Sequence, residues 1–353
     1  MDDYTQRASR QQGRSRQKGM NERNQSKPAA SIVKLTFRMI RLGQELLISR
    51  CMRWFRSAGL VFLLGCAAAQ EPSQPTIPAG ELVRLAVKNE VADAEHPTAR
   101  HFFRSRKQTP KGSQTRLYVE TKDAMAGVLI AVNDQPLTPG QQRAEANHLN
   151  WLTSNPDQLR KKRAHEKEDE DRTLQIVKAL PDAFLYEYAG TERPNADTAQ
   201  AQTSAAPQIP TSLLRLNFRP NPAYSPPSRV EQALEGMRGY LVVDTNQRRI
   251  ARIDGTLFKD VTFGWGIIGR LDKGGHFYVE QADLGDGTWE ISEMKLSFTG
   301  KILLFKTLTM VSDEIFGDFR RVPDTLTFAQ GAQMLEAEQA NVAAPTNAKT
   351  TPQ

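Results

Sequence analysis

The sequence is poor in cysteine and in long apolar runs. Its 353 residues include only two cysteines, Cys51 and Cys66. Both lie upstream of the region that has the pattern of a folded domain, which excludes a disulfide framework or a cysteine-based metal site from that domain. The apolar run at residues 58–69 is 12 residues long, whereas a membrane-spanning helix needs about 20. We therefore expect no transmembrane span in the mature chain.

Motifs of common enzyme chemistry are also missing. The chain has no G-x-S-x-G, P-loop or H-E-x-x-H pattern. Its histidines never occur at metal-ligand spacing, so each is predicted to be a surface or strand residue. We predict a non-enzymatic protein without a metal or cofactor, and keep an unrecognised envelope enzyme as a third alternative. The histidines are His96, His101, His148, His165 and His276.

Two glycine-rich segments have the form of ligand-binding loops. Residues 264–269 match G-x-G-x-x-G, but a dinucleotide site needs a helix directly afterwards, and residues 270–275 favour a turn. Residues 283–287 lack the further ligands of a calcium loop. We predict a connection between strands at the first segment and a hairpin turn at the second. Trp265 is a candidate lip residue of a cavity, although packing onto the core is the more ordinary role.

The net charge of +7 is concentrated at the N-terminus. Residues 1–56 hold 13 Lys and Arg against four Asp and Glu, a net charge of +9, so the remaining chain carries −2. A basic protein would ordinarily favour a nucleic-acid or anionic-membrane partner. Because the folded part is nearly neutral, we predict no nucleic-acid partner.

Residues 52–69 have the order of a secretory signal: a short basic stretch, an apolar stretch and small residues. Two kinds of processing remain open. Cleavage after Ala69 fits ordinary export, whereas the sequence ending at Cys66 resembles a bacterial lipobox, which makes Cys66 the lipidation candidate. Residues 1–51 are either a misassigned upstream segment, with Met52 as the initiator, or a long basic n-region. We predict an exported protein that is periplasmic or associated with the outer membrane.

The remaining chain is predicted to begin with a Pro-rich linker at 70–79 and to form a single α+β domain over 80–338. This domain contains a helical insertion at 138–180 and a disordered loop at 190–210. Residues 339–353 are predicted to be a flexible tail.

Helical spacing of apolar residues predicts an N-terminal helix at 82–94. A second long helix is predicted at 157–180, ended by Pro181. Residues 161–172 of this helix are almost all charged, which indicates a solvated face stabilised by ion pairs or, as the alternative, an interaction surface. A short C-terminal helix is predicted to start at Thr327.

The C-terminal half predicts successive antiparallel strands, with turns at 286–287 and 300–301. The apolar face changes between Ile291 and Met294, and this one-residue shift predicts a β-bulge that bends the sheet. Residues 302–311 are apolar on both faces, so that strand is expected to be covered on both sides or to line an apolar cavity. The fold class is therefore α+β, with a curved antiparallel sheet that forms an incomplete barrel.

The segment from Gly239 to Ile253, a strand followed by Asp244, a turn and a second strand, resembles a pattern in the bacterial outer-membrane lipoprotein carrier and sorting superfamily. The resemblance covers residues 235–311 and extends to 80–190 by order of elements. It implies a half-barrel with helices in its mouth and a concave side that holds acyl chains. Because the simplest carriers lack the insertion at 138–180, we expect a secreted relative on this scaffold.

We accordingly predict that the concave face binds a lipid or acylated ligand. The alternative is an envelope scaffold or sensor that binds another protein through the charged helix at 157–172 and the loop near Trp265. The candidate lining residues are apolar and lie on predicted strands: Leu241, Val243, Ile253, Phe277, Val279, Leu296, Phe298 and Leu304.

Overall fold

The structure, a computed structural model, describes residues 77–192, 213–264, 268–285, 287–302 and 306–343. The predicted signal peptide, the residues upstream of it and nearly all of the linker lie outside these ranges. So do most of the predicted disordered loop and the last ten residues of the predicted tail.

The described residues form five α-helices and thirteen strands, which confirms the predicted α+β class. The helices are α1 (Ala79–Glu95), α2 (Pro139–Ser154), α3 (Pro156–Ala183), α4 (Arg229–Gln232) and α5 (Phe328–Ala343). The strands are β1 (Arg100–Thr109), β2 (Gly112–Val119), β3 (Ala126–Val132), β4 (Gln135–Pro136), β5 (Phe184–Glu192), β6 (Leu213–Pro220), β7 (Met237–Asp244), β8 (Arg249–Leu257), β9 (Val261–Phe263), β10 (Gly269–Leu271), β11 (His276–Asp283), β12 (Trp289–Ile302) and β13 (Lys306–Val322).

The strands pair antiparallel in one curved sheet that does not close into a barrel. Their order is β4-β3-β2-β1-β13-β12-β11-β8-β7-β6-β5, and the short β9 and β10 attach through β12. The predicted bulge is confirmed, because the register of β11 and β12 shifts between Glu280 and Gln281, opposite Ile291 and Glu293. A second shift lies between Phe102 and Arg104, where β1 pairs with β13. Such shifts increase local bend and twist.

Helices cover the two faces of this sheet at different places. Helices α1 and α3 pack on one face, which we call the inner face, and form the inner cluster with residues such as Leu82, Leu180 and Leu241. Helices α2 and α5 pack on the opposite face of β1–β3 and form the outer cluster, which includes Leu149 and Leu335. Strand β1 shows why both faces are apolar there: Phe103 belongs to the inner cluster and its neighbour Phe102 to the outer one.

Strand β3 lies next to one margin of the sheet, because its outer neighbour β4 has only two residues. Side chains from three helices form hydrogen bonds with backbone groups in β3 or just before it. The Leu129 amide donates to Glu145 Oε2 at 2.9 Å, and the Leu129 carbonyl accepts from Gln339 Nε2 at 3.2 Å. Just before the strand, the Met125 amide donates to Glu166 Oε2 at 3.2 Å. Backbone groups that a neighbouring strand would ordinarily satisfy are therefore bound by helix side chains.

Four details of the predicted elements are wrong, and the first two concern proline and glycine. Helix α3 continues through Pro181 to Ala183, because a proline in the last turn removes only one helical hydrogen bond while Leu180 and Ala183 remain packed in the inner cluster. Residues 300–301 lie inside β12 and do not form a turn. At Gly300, a Cβ would lie 2.1 Å from the Arg270 carbonyl oxygen, so this glycine permits the close approach of β10.

The other two corrections concern segments predicted to be mobile. Residues 190–192 belong to β5, where the Glu192 carboxylate lies 2.7 Å from Arg252 Nη1. Residues 339–343 belong to α5, where Gln339 is buried. The prediction for residues 302–311 is wrong as well: they do not form one strand, since Ile302 ends β12 and Lys306 begins β13, and Val311 of β13 is 42% exposed.

The glycine-rich segment at 264–269 connects two paired strands. Strand β9 ends at Phe263, and Phe263 pairs with Gly269 at the start of β10. A turn and strand β11 follow, where a dinucleotide site would need a helix. Likewise, 283–287 lies between the antiparallel strands β11 and β12. Both interpretations from the sequence are confirmed.

Candidate functional site

Most of the candidate lining residues share the inner face. Leu241, Val243, Ile253, Val279 and Leu296 are all buried members of the inner cluster. The two phenylalanines among the candidates are half-buried and pack against the same cluster: Phe277 and Phe298. The strands therefore bring together seven positions that the sequence spreads over residues 241–298.

The register aligns these side chains in rows across the sheet. Leu241 of β7 lies opposite Ile253 of β8, Ile253 opposite Val279 of β11, and Val279 opposite Met294 of β12. Each of these four side chains is at most 8% exposed. This row is therefore a continuous apolar strip beneath the helices.

The next row has a gap in its side chains. Gly239 and Gly255 lie opposite each other in β7 and β8, between Phe218 on one side and Phe277 on the other. A Cβ on Gly255 would lie 2.8 Å from Met237 Cε, so a flexible methionine occupies the space above the glycines. Met237 and Phe277 are both half-buried, which makes this the part of the inner face that is less completely covered.

Helix α1 is held to the sheet by an ion pair at the start of β8, on the other side of the Leu241–Met294 row from the glycines. The Arg249 guanidinium makes two 3.0 Å hydrogen bonds to the Glu90 carboxylate and a third 3.0 Å bond to Asp93. Glu90 also accepts the Ile250 amide at 2.9 Å. Burial lowers the pKa of the Arg249 guanidinium, but the two carboxylates together raise it above its ordinary value. The buried charges are thus paired, and they set the position of the helix over the inner face.

The turn between β7 and β8 is explained by its own residues. Asp244 is fully buried, and its Oδ1 accepts the amides of Asn246 at 2.8 Å and Gln247 at 2.7 Å. Arg248 closes the turn with a φ of 53°, in the left-handed region. An aspartate at this position therefore builds the turn and directs Arg249 toward helix α1.

Part of the outer face of the same strands is polar. Arg252 of β8 lies 2.7 Å from Glu192 and 2.9 Å from Glu280, and Tyr278 donates a 2.6 Å hydrogen bond to Glu280. Burial and the hydrogen bond to Glu280 raise the pKa of Tyr278, so this hydroxyl stays protonated. This part of the outer face is therefore polar, and beside it lies a small buried apolar cluster of Leu213, Val242, Ala251 and Trp289.

A different kind of groove, of about 540 Å³, lies between the end of α1, α3 and α4. Its lining carries both signs of charge, from side chains such as Glu95, Lys167, Asp171 and Lys178, beside apolar surface. The Lys178 ammonium lies 2.8 Å from Glu95 and lowers the pKa of that carboxyl. This groove suits a polar partner better than an acyl chain.

The charged middle of α3 is held mainly by its own ion pairs. Lys162 pairs with Glu166 at 2.8 Å, and Arg172 pairs with Glu168. Both are i,i+4 pairs, as predicted. The Glu166 side chain is only 10% exposed and also accepts the Met125 amide, so this part of the helix faces the sheet, and the choice between a solvated face and an interaction surface stays a prediction.

Three candidates lie outside the described residues. They are Trp265 in the connection between β9 and β10, Leu304 between β12 and β13, and Cys66 in the predicted signal region. Their roles as lip residue, lining residue and lipidation site stay predictions.

Sequence reasoning missed the buried polar groups. Glu90 and Arg249 are 159 residues apart, and the helical pattern of α1 gave only a weak signal: a glutamate among apolar residues on the buried side of the helix. His101, Glu120 and Glu290 also come together, with one ligand atom from each within 4.8 Å of the others. No local spacing could reveal that group, since its members belong to three separate parts of the sheet.

None of the helices that the structure describes is long and apolar enough to cross a membrane. Comparison of the chain with protein-family models, curated proteins and solved structures finds no significant match.

Proposed function

We propose that the chain is an exported, non-enzymatic envelope protein that binds a lipid or acyl chain between the inner face of its sheet and helices α1 and α3. The observation that carries this proposal is the glycine pair Gly239 and Gly255, which has no side chains of its own and is covered by the flexible, half-buried Met237 beside the half-buried Phe277. An apolar chain that displaces the flexible Met237 side chain would enter a strip lined by Leu241 and Ile253. Each methylene buried there contributes about 0.8 kcal/mol.

The helices support the same proposal. The Glu90–Arg249 ion pair holds the C-terminal half of α1, whereas the N-terminal half is held mainly by apolar packing of Leu82 and Val83 and by the 2.7 Å hydrogen bond from Tyr188 to the Ile77 carbonyl. Apolar packing can shift without leaving a buried charge unpaired, so this is the end where the helix would move to admit a ligand.

The test is displacement of a fluorescent fatty-acid analogue from the purified full chain, with the wild type compared with Phe277→Asp. A carboxylate at the entrance to the strip is expected to weaken binding by about tenfold or more, or about 1.4 kcal/mol. Val311→Asp is the matched control, since Val311 is exposed on the opposite face of the sheet. The proposal fails if the wild type does not bind the analogue, or if both variants bind it equally well.

Native mass spectrometry of the protein recovered from an envelope fraction separates the proposal from its alternative. Co-purified lipid supports the apolar ligand. A tight polypeptide partner without lipid supports the scaffold or sensor, whose binding surface would include the mixed-charge groove beside α3.

Export has its own test, N-terminal sequencing of the mature protein. A mature chain that starts at Gln70 indicates ordinary cleavage, and one that starts at a lipid-modified Cys66 indicates a lipoprotein. A product that retains Met1 would contradict export through the predicted signal.

A further inference from the structure

A buried imidazole and two carboxylates lie close together near the first residues of β1 and β12. His101 lies in β1, Glu120 directly follows β2, and Glu290 lies in β12. The His101 side chain is 2% exposed, and the two glutamate side chains are 14% and 16% exposed. His101 Nδ1 lies 3.4 Å from Glu290 Oε1 and 3.9 Å from Glu120 Oε2.

The backbone fixes two members of this group. The Glu120 amide donates to the His101 carbonyl at 2.9 Å, and the His101 amide donates to Glu120 Oε2 at 3.0 Å. The Phe319 ring packs edge-on against the imidazole, with 6.3 Å between ring centroids. Because the ring and one carboxylate are held before any ligand arrives, little conformational entropy remains to be lost on binding.

The distances suit a common cation. Zinc binds imidazole nitrogen and carboxylate oxygen at about 2.0–2.2 Å, so ligand atoms around a tetrahedral ion are about 3.3–3.5 Å apart. The 3.4 Å separation between His101 and Glu290 already lies in this range, and the 3.9 Å separation from Glu120 requires only a small side-chain shift. Two carboxylates and a neutral imidazole also balance the charge of a divalent ion.

We propose that His101 Nδ1, Glu120 and Glu290 bind one divalent transition-metal ion, for which Zn²⁺ has the best-fitting ligand set. One imidazole and two carboxylates leave a fourth position for water. The ion would join the β1–β2 hairpin to β12, which is distant in sequence, so its binding would stabilise the folded chain. This site is separate from the apolar strip and does not depend on the proposed ligand.

The experiment is a titration of the chelator-treated full chain, purified without a histidine tag, with Zn²⁺ by isothermal calorimetry. The wild type is expected to bind one ion that Glu290→Gln and Glu120→Gln bind at least about tenfold more weakly. The matched control is His276→Gln, because His276 pairs with one carboxylate, Asp254, at 3.0 Å. This control is expected to bind like the wild type, and Zn²⁺ is expected to raise the melting temperature of both.

The proposal is overturned if the wild type binds no Zn²⁺, or if Glu290→Gln binds it as tightly as the wild type, which would mean that the ion lies elsewhere. X-ray absorption at the zinc edge keeps the test decisive even if a variant does not fold. One imidazole and oxygen ligands at about 2.0–2.2 Å support the site, whereas sulfur ligands from Cys51 or Cys66 contradict it. Zinc binding that persists in Phe277→Asp shows that the metal site does not depend on the apolar strip.

Discussion

The inner and outer clusters both bury apolar side chains of the sheet against helices, but they differ in how completely they are closed. The outer cluster is closed by bulky side chains such as Leu149, Phe328 and Leu335, each at most 1% exposed. The inner cluster is wider, contains the buried Glu90–Arg249 pair at one end and leaves Phe277 half-buried toward the other. Both clusters stabilise the fold, and only the inner one has the less completely covered end at which we propose that a ligand enters.

The largest expected effect comes from the ion pair of the inner cluster. Arg249→Ala leaves the Glu90 carboxylate buried without its bidentate partner, and the free energy of unfolding should fall by about 3–5 kcal/mol. Urea denaturation followed by circular dichroism measures the change. The double variant Glu90→Leu/Arg249→Met is the control and should recover much of the loss, because it removes both charges. A loss below about 1 kcal/mol for Arg249→Ala would mean that this pair does not fasten α1.

A pair of phenylalanine variants compares the clusters directly. Phe328→Ala should lower the free energy of unfolding by about 3–5 kcal/mol, since Phe328 is 1% exposed in the outer cluster. Phe277→Ala should cost clearly less, because its side chain is already partly exposed. The same urea experiment checks both. Equal losses would show that the two clusters are packed alike and would remove the structural basis for an opening near Phe277.

The glycine gap permits a finer comparison. At Gly239 a Cβ would lie 1.9 Å from the Asp254 carbonyl oxygen, so Gly239→Ala should destabilise the chain by about 1–3 kcal/mol. The control is Gly317→Ala in β13, where a Cβ meets nothing within 4 Å. That variant should be neutral or stabilising by up to about 1 kcal/mol. Thermal denaturation distinguishes the two, and an unaffected Gly239→Ala would contradict the close approach of β7 and β8.

The smallest effect concerns a histidine on α2, beside the outer cluster. Burial lowers the pKa of His148 below its ordinary value of 6.5, and the cations Lys162 and Arg116 lower it further against the opposing effect of Glu145. The folded chain then binds fewer protons here than the unfolded chain between the lowered pKa and 6.5, so stability falls as pH drops through that window.

An NMR titration of His148 measures this pKa directly. Trp151 stacks on the imidazole with ring centroids 6.0 Å apart, so Trp151→Ala should move the pKa back toward 6.5. A value at or above 6.5 in the unmodified chain would show that α2 does not shield this side chain.

Much of the fold could be predicted from the sequence because local patterns decide it. The helical spacing after Leu82, the alternation in 237–257 and the shifted face between Ile291 and Met294 each reflect which side of one element is buried. The errors arose where a distant segment determines the local structure. Gly300 has the composition of a turn, but it lies in a strand because β10 passes beside it.

The candidate site was predictable only in part, for the same reason. Apolar residues on one face of neighbouring strands could be identified, since alternation places them together. Whether they enclose space depends on how helices lie over them, and that position is set by Glu90 and Arg249, which are far apart in sequence. The group of His101, Glu120 and Glu290 likewise depends on strand order, which no single segment specifies.

The binding of β3 by helix side chains has a consequence for how molecules of this protein meet one another. An open sheet presents donors and acceptors to which a second chain can add as an extra strand. At Leu129 those groups are already occupied by Glu145 and Gln339. Growth of the sheet from one molecule into the next is therefore blocked at this point of the β3 margin.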